Sequence, residues 1–155
     1  MNLTLFTSPK AFDAEIGVIQ QNAIRSWQRL GPRCEILMCG NERGTAEAAR
    51  ELSVDHVPEV ARNEFGTPRL DDLFRAAQQR AGHDLLCYIN ADIILLSDFV
   101  QAVERVASSR RPFLMVGRRY DLDVKQSMVF EGDWERRLRL DLRNRGTLHI
   151  PEGID

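Results

Sequence analysis

The chain predicts an α/β fold, a doubly wound, mostly parallel sheet with helices on both faces. Three observations lead there. Short apolar runs of strand length alternate with stretches whose apolar residues recur every three or four positions. Turn residues mark each change of period, most clearly Gly31-Pro32, Gly40-Asn41 and Gly82. Strands alternating with helices require crossover connections, which are right-handed and produce parallel sheets covered on both sides.

The elements follow in order. Leu3 to Phe6 predicts a first strand and Thr7-Ser8-Pro9-Lys10 the loop after it. Ile16, Ile19, Ala23, Trp27 and Leu30 form one stripe of an amphipathic helix, which Gly31-Pro32 stops. Ile36 to Cys39 predicts a second strand, with Gly40 to Gly44 as its turn and Thr45 as the cap of a helix through Ala49 and Leu52. Val54 to Val57 is a third strand, cut short by Pro58. After a polar loop, Thr67 predicts an N-cap and Pro68 the first residue of a helix with Leu70, Leu73, Phe74 and Ala77 inward. Asp71 and Asp72 suit the positive end of its dipole. Leu85 to Ile89 is a fourth strand ending in Asn90-Ala91-Asp92, and Ser97 or Asp98 begins a helix through Val100, Val103 and Val106. Phe113 to Val116 predicts a fifth strand. Trp134, Leu138 and Leu142 then define a last helix ended by Gly146.

At 155 residues the chain is expected to be one domain, residues 1–155, with 124–155 as a C-terminal helical extension. Apolar content of 43% and charged content of 28% are those of an ordinary globular protein. A net charge of −2 offers no general attraction to nucleic acid or to an anionic membrane. No run approaches the roughly 18 apolar residues of a membrane span. The N-terminus lacks a charged n-region and a long apolar h-region, and the three cysteines form no CxxC pair. A cytoplasmic location is expected.

Chemistry is expected at one edge. If the strands are parallel, Thr7-Ser8-Pro9-Lys10, Asn41-Glu42, Asn63 and Asn90-Ala91-Asp92 converge where open α/β sheets bind ligands. Asp92 stands out as an acid directly after a buried strand. Its plainer alternative is a turn or helix-capping acid, and Thr, Ser, Pro and Asn are also ordinary turn residues. His56, His83 and His149 are dispersed, which argues against zinc. There is no nucleophile elbow, no phosphate loop ending in Gly-Lys-Ser/Thr, and no Gly-x-Gly-x-x-Gly after the first strand.

The Asn90-Ala91-Asp92 segment resembles the Asp-x-Asp region of GT-A glycosyltransferases, with Asn90 in place of the first acid. Phe6 to Lys10, Gly17 to Gln20, Asn63 to Pro68 and Val116 to Asp123 extend the resemblance over nearly the whole chain. It implies a nucleotide-diphospho-sugar donor, with Thr7, Ser8 and Pro9 framing the nucleoside and Asn41 or Glu42 meeting the base. Arg62 and Asn63 would lie near the ribose or diphosphate. Asn90 would offer a neutral oxygen or donate to a ribose hydroxyl, and Asp92 would bind Mn2+ or Mg2+. Arg118 and Arg119 could bind diphosphate through paired donors, or be surface arginines balanced by Asp121 and Asp123. Asp155 is the implied catalytic base, facing an acceptor of unknown identity. The resemblance also implies a chain truncated after its nucleotide-binding half, so that donor binding is a safer expectation than glycosyl transfer.

The function expected is thus that of a metal-dependent, sugar-nucleotide-binding GT-A-like domain, a glycosyltransferase or its remnant. The alternative is a non-catalytic nucleotide-binding or protein-interaction module of the same fold. A receiver-type regulator would want an acidic pair after the first strand, where Thr7-Ser8 stands. The stripe Trp134, Leu138 and Leu142 offers a surface for homo-oligomer formation unless its own sheet covers it.

Overall fold

The computed structural model describes residues 2–109 and 111–150. Eleven elements follow one another among them: β1 (Leu3–Thr7), α1 (Ala14–Gln28), β2 (Cys34–Cys39), α2 (Thr45–Leu52), β3 (Asp55–Val57), α3 (Leu70–Arg80), β4 (Leu86–Tyr88), α4 (Ser97–Ala107), β5 (Tyr120–Asp121), α5 (Trp134–Arg145) and β6 (Thr147–Leu148). The first four strands form one parallel sheet in the order β3-β2-β1-β4. β5 and β6 pair antiparallel in a separate ribbon.

β1 is central, and all five of its residues are buried. Alternation along the strands sorts the core into two layers. Leu3 and Leu5 of β1 join Ile36 and Met38 of β2 beneath α1 and α2, with Ala23, Ile24, Trp27, Ala49 and Leu52. Phe6, Leu37 and Cys39 face the other way, onto Leu73 and Ala77 of α3. The sheet is covered on both faces, as a doubly wound fold requires. No helix among the described residues is long and apolar enough to cross a membrane.

Four expectations are corrected. Phe113 to Val116 forms no strand: it runs without regular structure and lies exposed, Leu114 at 90%. A strand needs partners for its backbone donors and acceptors, and among the described residues nothing pairs outside β4. Thr45 is not the cap of α2 but its first residue. Gly44 takes the cap position at φ 82°, a left-handed turn that glycine adopts without steric cost. Thr67 and Pro68 do not open α3, which begins at Leu70 behind Arg69, because Pro68 is instead bridged to Arg62 across the preceding loop. The stripe of α1 holds at Ala23, Trp27 and Leu30 but not at Ile16, which is 46% exposed, and the buried surface extends beyond it to the polar Gln20, Asn22 and Ser26.

Each buried polar residue of α1 meets a different segment: Gln20 the loop at Lys10, Ser26 the chain at Leu95, and Asn22 the chain at Gln126 and Met128. The Asn22 side-chain amide donates to the carbonyl of Gln126 at 2.8 Å and accepts from the N–H of Met128 at 2.9 Å. Asn22 thereby serves that last segment as a neighbouring strand would, satisfying one acceptor and one donor. Asn22→Ala is expected to cost about 1–3 kcal/mol, since it orphans both groups at once. Limited proteolysis should show new cleavage between residues 123 and 130, and an unchanged digestion pattern would contradict that role.

At the opposite end of the sheet Thr4 donates to Glu35, which also accepts the Gly82 N–H at 2.9 Å. Nδ1 of His83 lies 3.2 Å from the Thr4 hydroxyl and 3.5 Å from Glu35. Partial burial pushes the Glu35 carboxyl up, but the Thr4, Gly82 and His83 interactions outweigh it and hold the group below its ordinary 4.5. A lowered folded pKa means stability that is present above 4.5 and lost as pH falls through the folded value. Thermal melts of wild type and Glu35→Gln should therefore converge as pH drops below 4.5. A constant difference between the two across that range would remove Glu35 from the acid response.

Candidate functional site

Parallel pairing puts the carboxyl ends of β1, β2, β3 and β4 on one edge, and the loops that leave it carry the predicted residues. After β1, Thr7 is fully buried, Pro9 is buried and Ser8 half-buried. Gln20 of α1 fixes this loop. Its amide accepts the Lys10 N–H at 2.7 Å and donates to the Lys10 carbonyl at 2.9 Å. After β2, Gly40 turns at φ 101°, and a Cβ there would lie 3.7 Å from the Ser8 hydroxyl oxygen. The first and second loops therefore lie side by side.

Gly40 is anchored from the third strand. Its N–H donates to the Val57 carbonyl at 2.8 Å, and Nε2 of His56 lies 2.8 Å from its carbonyl oxygen. The Phe12 N–H donates to the Arg43 carbonyl at 2.9 Å, tying the first loop to the second once more. Glu42 pairs with Arg62 at 2.6 Å, which brings the second and third loops together. Arg62 further donates to the Gly66 carbonyl at 2.7 Å. The side-chain oxygen of Asn63 accepts the N–H groups of Phe65 and Thr67 at 3.0 and 2.9 Å. That oxygen is occupied in shaping the loop, so only the amide nitrogen of Asn63 is left to meet a ligand.

After β4 the Tyr88 hydroxyl donates to the Asn90 side-chain oxygen at 3.2 Å. Tyr88 itself packs with Phe6 and Phe74, ring centroids 5.6 and 5.8 Å away. The Ile93 N–H closes a turn on the Asn90 carbonyl at 3.1 Å, with Ala91 buried and Asp92 exposed at its apex. Beyond the turn the Trp27 indole donates to the Ile93 carbonyl at 2.8 Å and the Leu95 N–H to Ser26 at 3.0 Å. Aromatic packing before the turn and α1 after it hold Asp92 at a defined point on the edge, facing solvent.

Two hydroxyls here are unsatisfied. Oγ1 of Thr7 and Oγ1 of Thr45 are buried without a hydrogen-bond partner among the described residues. Native interiors rarely leave such groups unpaired, and those that remain call for an explanation. Both sit on the edge, Thr7 ending β1 and Thr45 opening α2.

Among the described residues no three or more His, Cys, Asp or Glu gather as a metal cage. Asp92 stands as a single acid on its turn, with the Asn90 side-chain oxygen two residues before it. That donor set suits a hard cation whose remaining ligands are water and substrate phosphates, the usual way magnesium and manganese are held. Burial pushes the Cys39 thiol up to about 12 and the Cys87 thiol to about 11, and raises the Cys34 thiol as well, which disfavours the reactive thiolate form.

Arg118 and Arg119 directly precede β5 and are engaged beside the β5–β6 ribbon. Arg118 donates to the His149 carbonyl, Arg119 to Asp121 at 3.0 Å, and Nδ1 of His149 lies 2.6 Å from Asp121. The His149 interaction, then partial burial opposing it, then Arg119 together hold the Asp121 carboxyl below its usual range. Asp155 lies outside the described residues. Gln20, Tyr88 and the two threonine hydroxyls were not singled out for these roles in the sequence. Only a glutamine amid the apolar face of α1 could have hinted at the first.

A comparison with protein-family models gives no match, and a comparison with curated proteins gives none.

Proposed function

We propose that the chain is a nucleotide-diphospho-sugar-binding domain of the GT-A type, with the donor seated along the carboxyl edge of the sheet. The observation that supports it most is the clustering of three loops on that edge, Ser8 against Gly40 and Glu42 paired with Arg62, beside the Asn90-Ala91-Asp92 turn. In this reading Thr7, Ser8 and Pro9 border the nucleoside, with the half-buried Ser8 the most accessible of the three. Asn41, exposed, and Glu42, half-buried, meet the base, while Arg62 presents its guanidinium toward the ribose and phosphates. Asn63 and Asn90 add neutral polar groups on the third and fourth loops.

Asp92 would hold Mn2+ or Mg2+ together with the donor's phosphates, and a bound cation would offset charge building on a departing nucleoside diphosphate. The chain's own contribution is position. The loop bonds to Gln20, His56 and Trp27 fix the edge before a ligand arrives, which lowers the ordering cost of binding.

The test is a thermal-shift panel of UDP-, GDP- and dTDP-sugars with and without manganese. A donor present at 100 times its dissociation constant is expected to add about 2.7 kcal/mol of stability. A panel in which no nucleotide sugar raises the melting temperature at saturating concentration would overturn the reading.

A further inference from the structure

Away from the strand edge, a groove with a volume of about 510 Å³ lies between residues 123–129 and α5. That falls within the range of small-molecule sites. α5 has no buried residue, so Trp134 and Leu138 are not consumed by packing on the sheet. They line the groove with Met128 and Val129, the last 65% exposed. Trp134 packs edge-on against Phe130, centroids 5.0 Å apart, which steadies its ring. Its indole N–H has no hydrogen-bond partner among the described residues.

The charges along this groove are already matched. Arg145 pairs with Asp141, Arg137 with Asp133, and Lys125 with Glu15 at 3.2 Å. A charged ligand would have to break one of these pairs to gain another. A neutral ligand with one apolar face and several hydroxyls would break none. Its face can lie on the indole, and its hydroxyls can donate to the paired carboxylates and accept from the paired guanidiniums and the free indole N–H. We propose that this groove binds a neutral saccharide, stacked on Trp134.

The groove also has a direction. Lys125 meets Glu15 in the first turn of α1, and that end of the helix follows the loop leaving β1. One end of the groove therefore opens beside the carboxyl edge of the sheet. A saccharide there would neighbour a donor on that edge and be placed as its acceptor. The acceptor role rests on the donor reading above, whereas saccharide binding does not, since the two sites share no residue.

The experiment needs no nucleotide. The chain has two tryptophans. Trp27 is fully buried, so quenching by acrylamide reports on Trp134. Maltotriose, cellotriose, mannotriose and chitotriose are titrated, with a trimer of glucuronate as the charged control. At least one neutral trisaccharide should shield Trp134 with a dissociation constant of about 1 mM or tighter, and the charged control should not. Val129→Arg, an exposed change at the rim that leaves the core untouched, should abolish that shielding. Trp134→Ala, followed by saturation transfer to the sugar protons, should weaken binding about tenfold.

Shielding by none of the neutral sugars overturns the proposal, as does binding that persists in both variants. A Trp134 signal that changes with protein concentration alone also overturns it and assigns the groove to a second copy of the chain. Failure of the nucleotide-sugar panel would leave the saccharide result standing, so the two readings fail separately.

Discussion

Trp27→Ala is expected to reduce stability by about 3–5 kcal/mol, as large-to-small changes at fully buried aromatics do. Trp27 is among the largest fully buried side chains, at 0% exposure, packed in the layer between the sheet and α1. The same ring anchors the segment after Asp92, because its indole donates to the Ile93 carbonyl. Truncation therefore opens a cavity and orphans a carbonyl in one step. Domains of this size hold about 5–15 kcal/mol in total, so the variant would keep little margin. Chemical denaturation measures the loss directly. Trp27→Phe separates the two effects, since it fills most of the volume but restores no donor. A loss under about 1 kcal/mol for the alanine variant would contradict the packing described here.

Asp92→Ala is expected to abolish the manganese-dependent part of nucleotide-sugar binding while leaving the melting temperature of the free protein nearly unchanged. Asp92 is exposed at the apex of its turn, and the backbone bond from Ile93 to Asn90 that closes the turn does not involve its side chain. Surface changes of that kind usually lie within about 0.5 kcal/mol in stability. Binding differs, because among the described residues no group of three or more His, Cys, Asp or Glu gathers that could hold the cation in its place. Asn90→Ala should weaken binding less, since a neutral oxygen contributes less to holding a dication. It should also release the Tyr88 hydroxyl from its contact with the Asn90 side chain. Calorimetric titration of wild type and both variants, with and without manganese, ranks the three. Equal metal-dependent affinity in wild type and Asp92→Ala would refute the assigned role of the acid.

The order of strands and helices through α4, the parallel sense of the sheet and the strand edge on which the polar loops fall were legible in the sequence. Each is governed by local information. Four apolar runs such as Leu3 to Phe6 can lower their free energy only by burial on both faces, and helical connections between them leave parallel pairing as the outcome. The position of Asp92 after the fourth strand followed from the same logic. Helix starts were less secure, as Thr45 and Pro68 show, because several adjacent residues can end a helix at similar cost and long-range contacts choose among them.

Only the tertiary structure decided which elements have partners. Phe113 to Val116 has the composition of a strand, but pairing is a property of two segments and no sequence window contains both. Burial of Gln20, Asn22 and Ser26 on α1 likewise depends on residues distant in the chain, Gln126 and Met128 for Asn22 and Leu95 for Ser26. The β5–β6 ribbon joins Asp121 to His149 across 28 positions, beyond the reach of any periodicity. The sequence by itself determined the sheet and the edge on which the polar loops gather. Tertiary contacts determined the face of α1 that is covered, the groove beside α5 and the unpaired hydroxyls of Thr7 and Thr45, since each depends on segments far apart in the chain meeting in space.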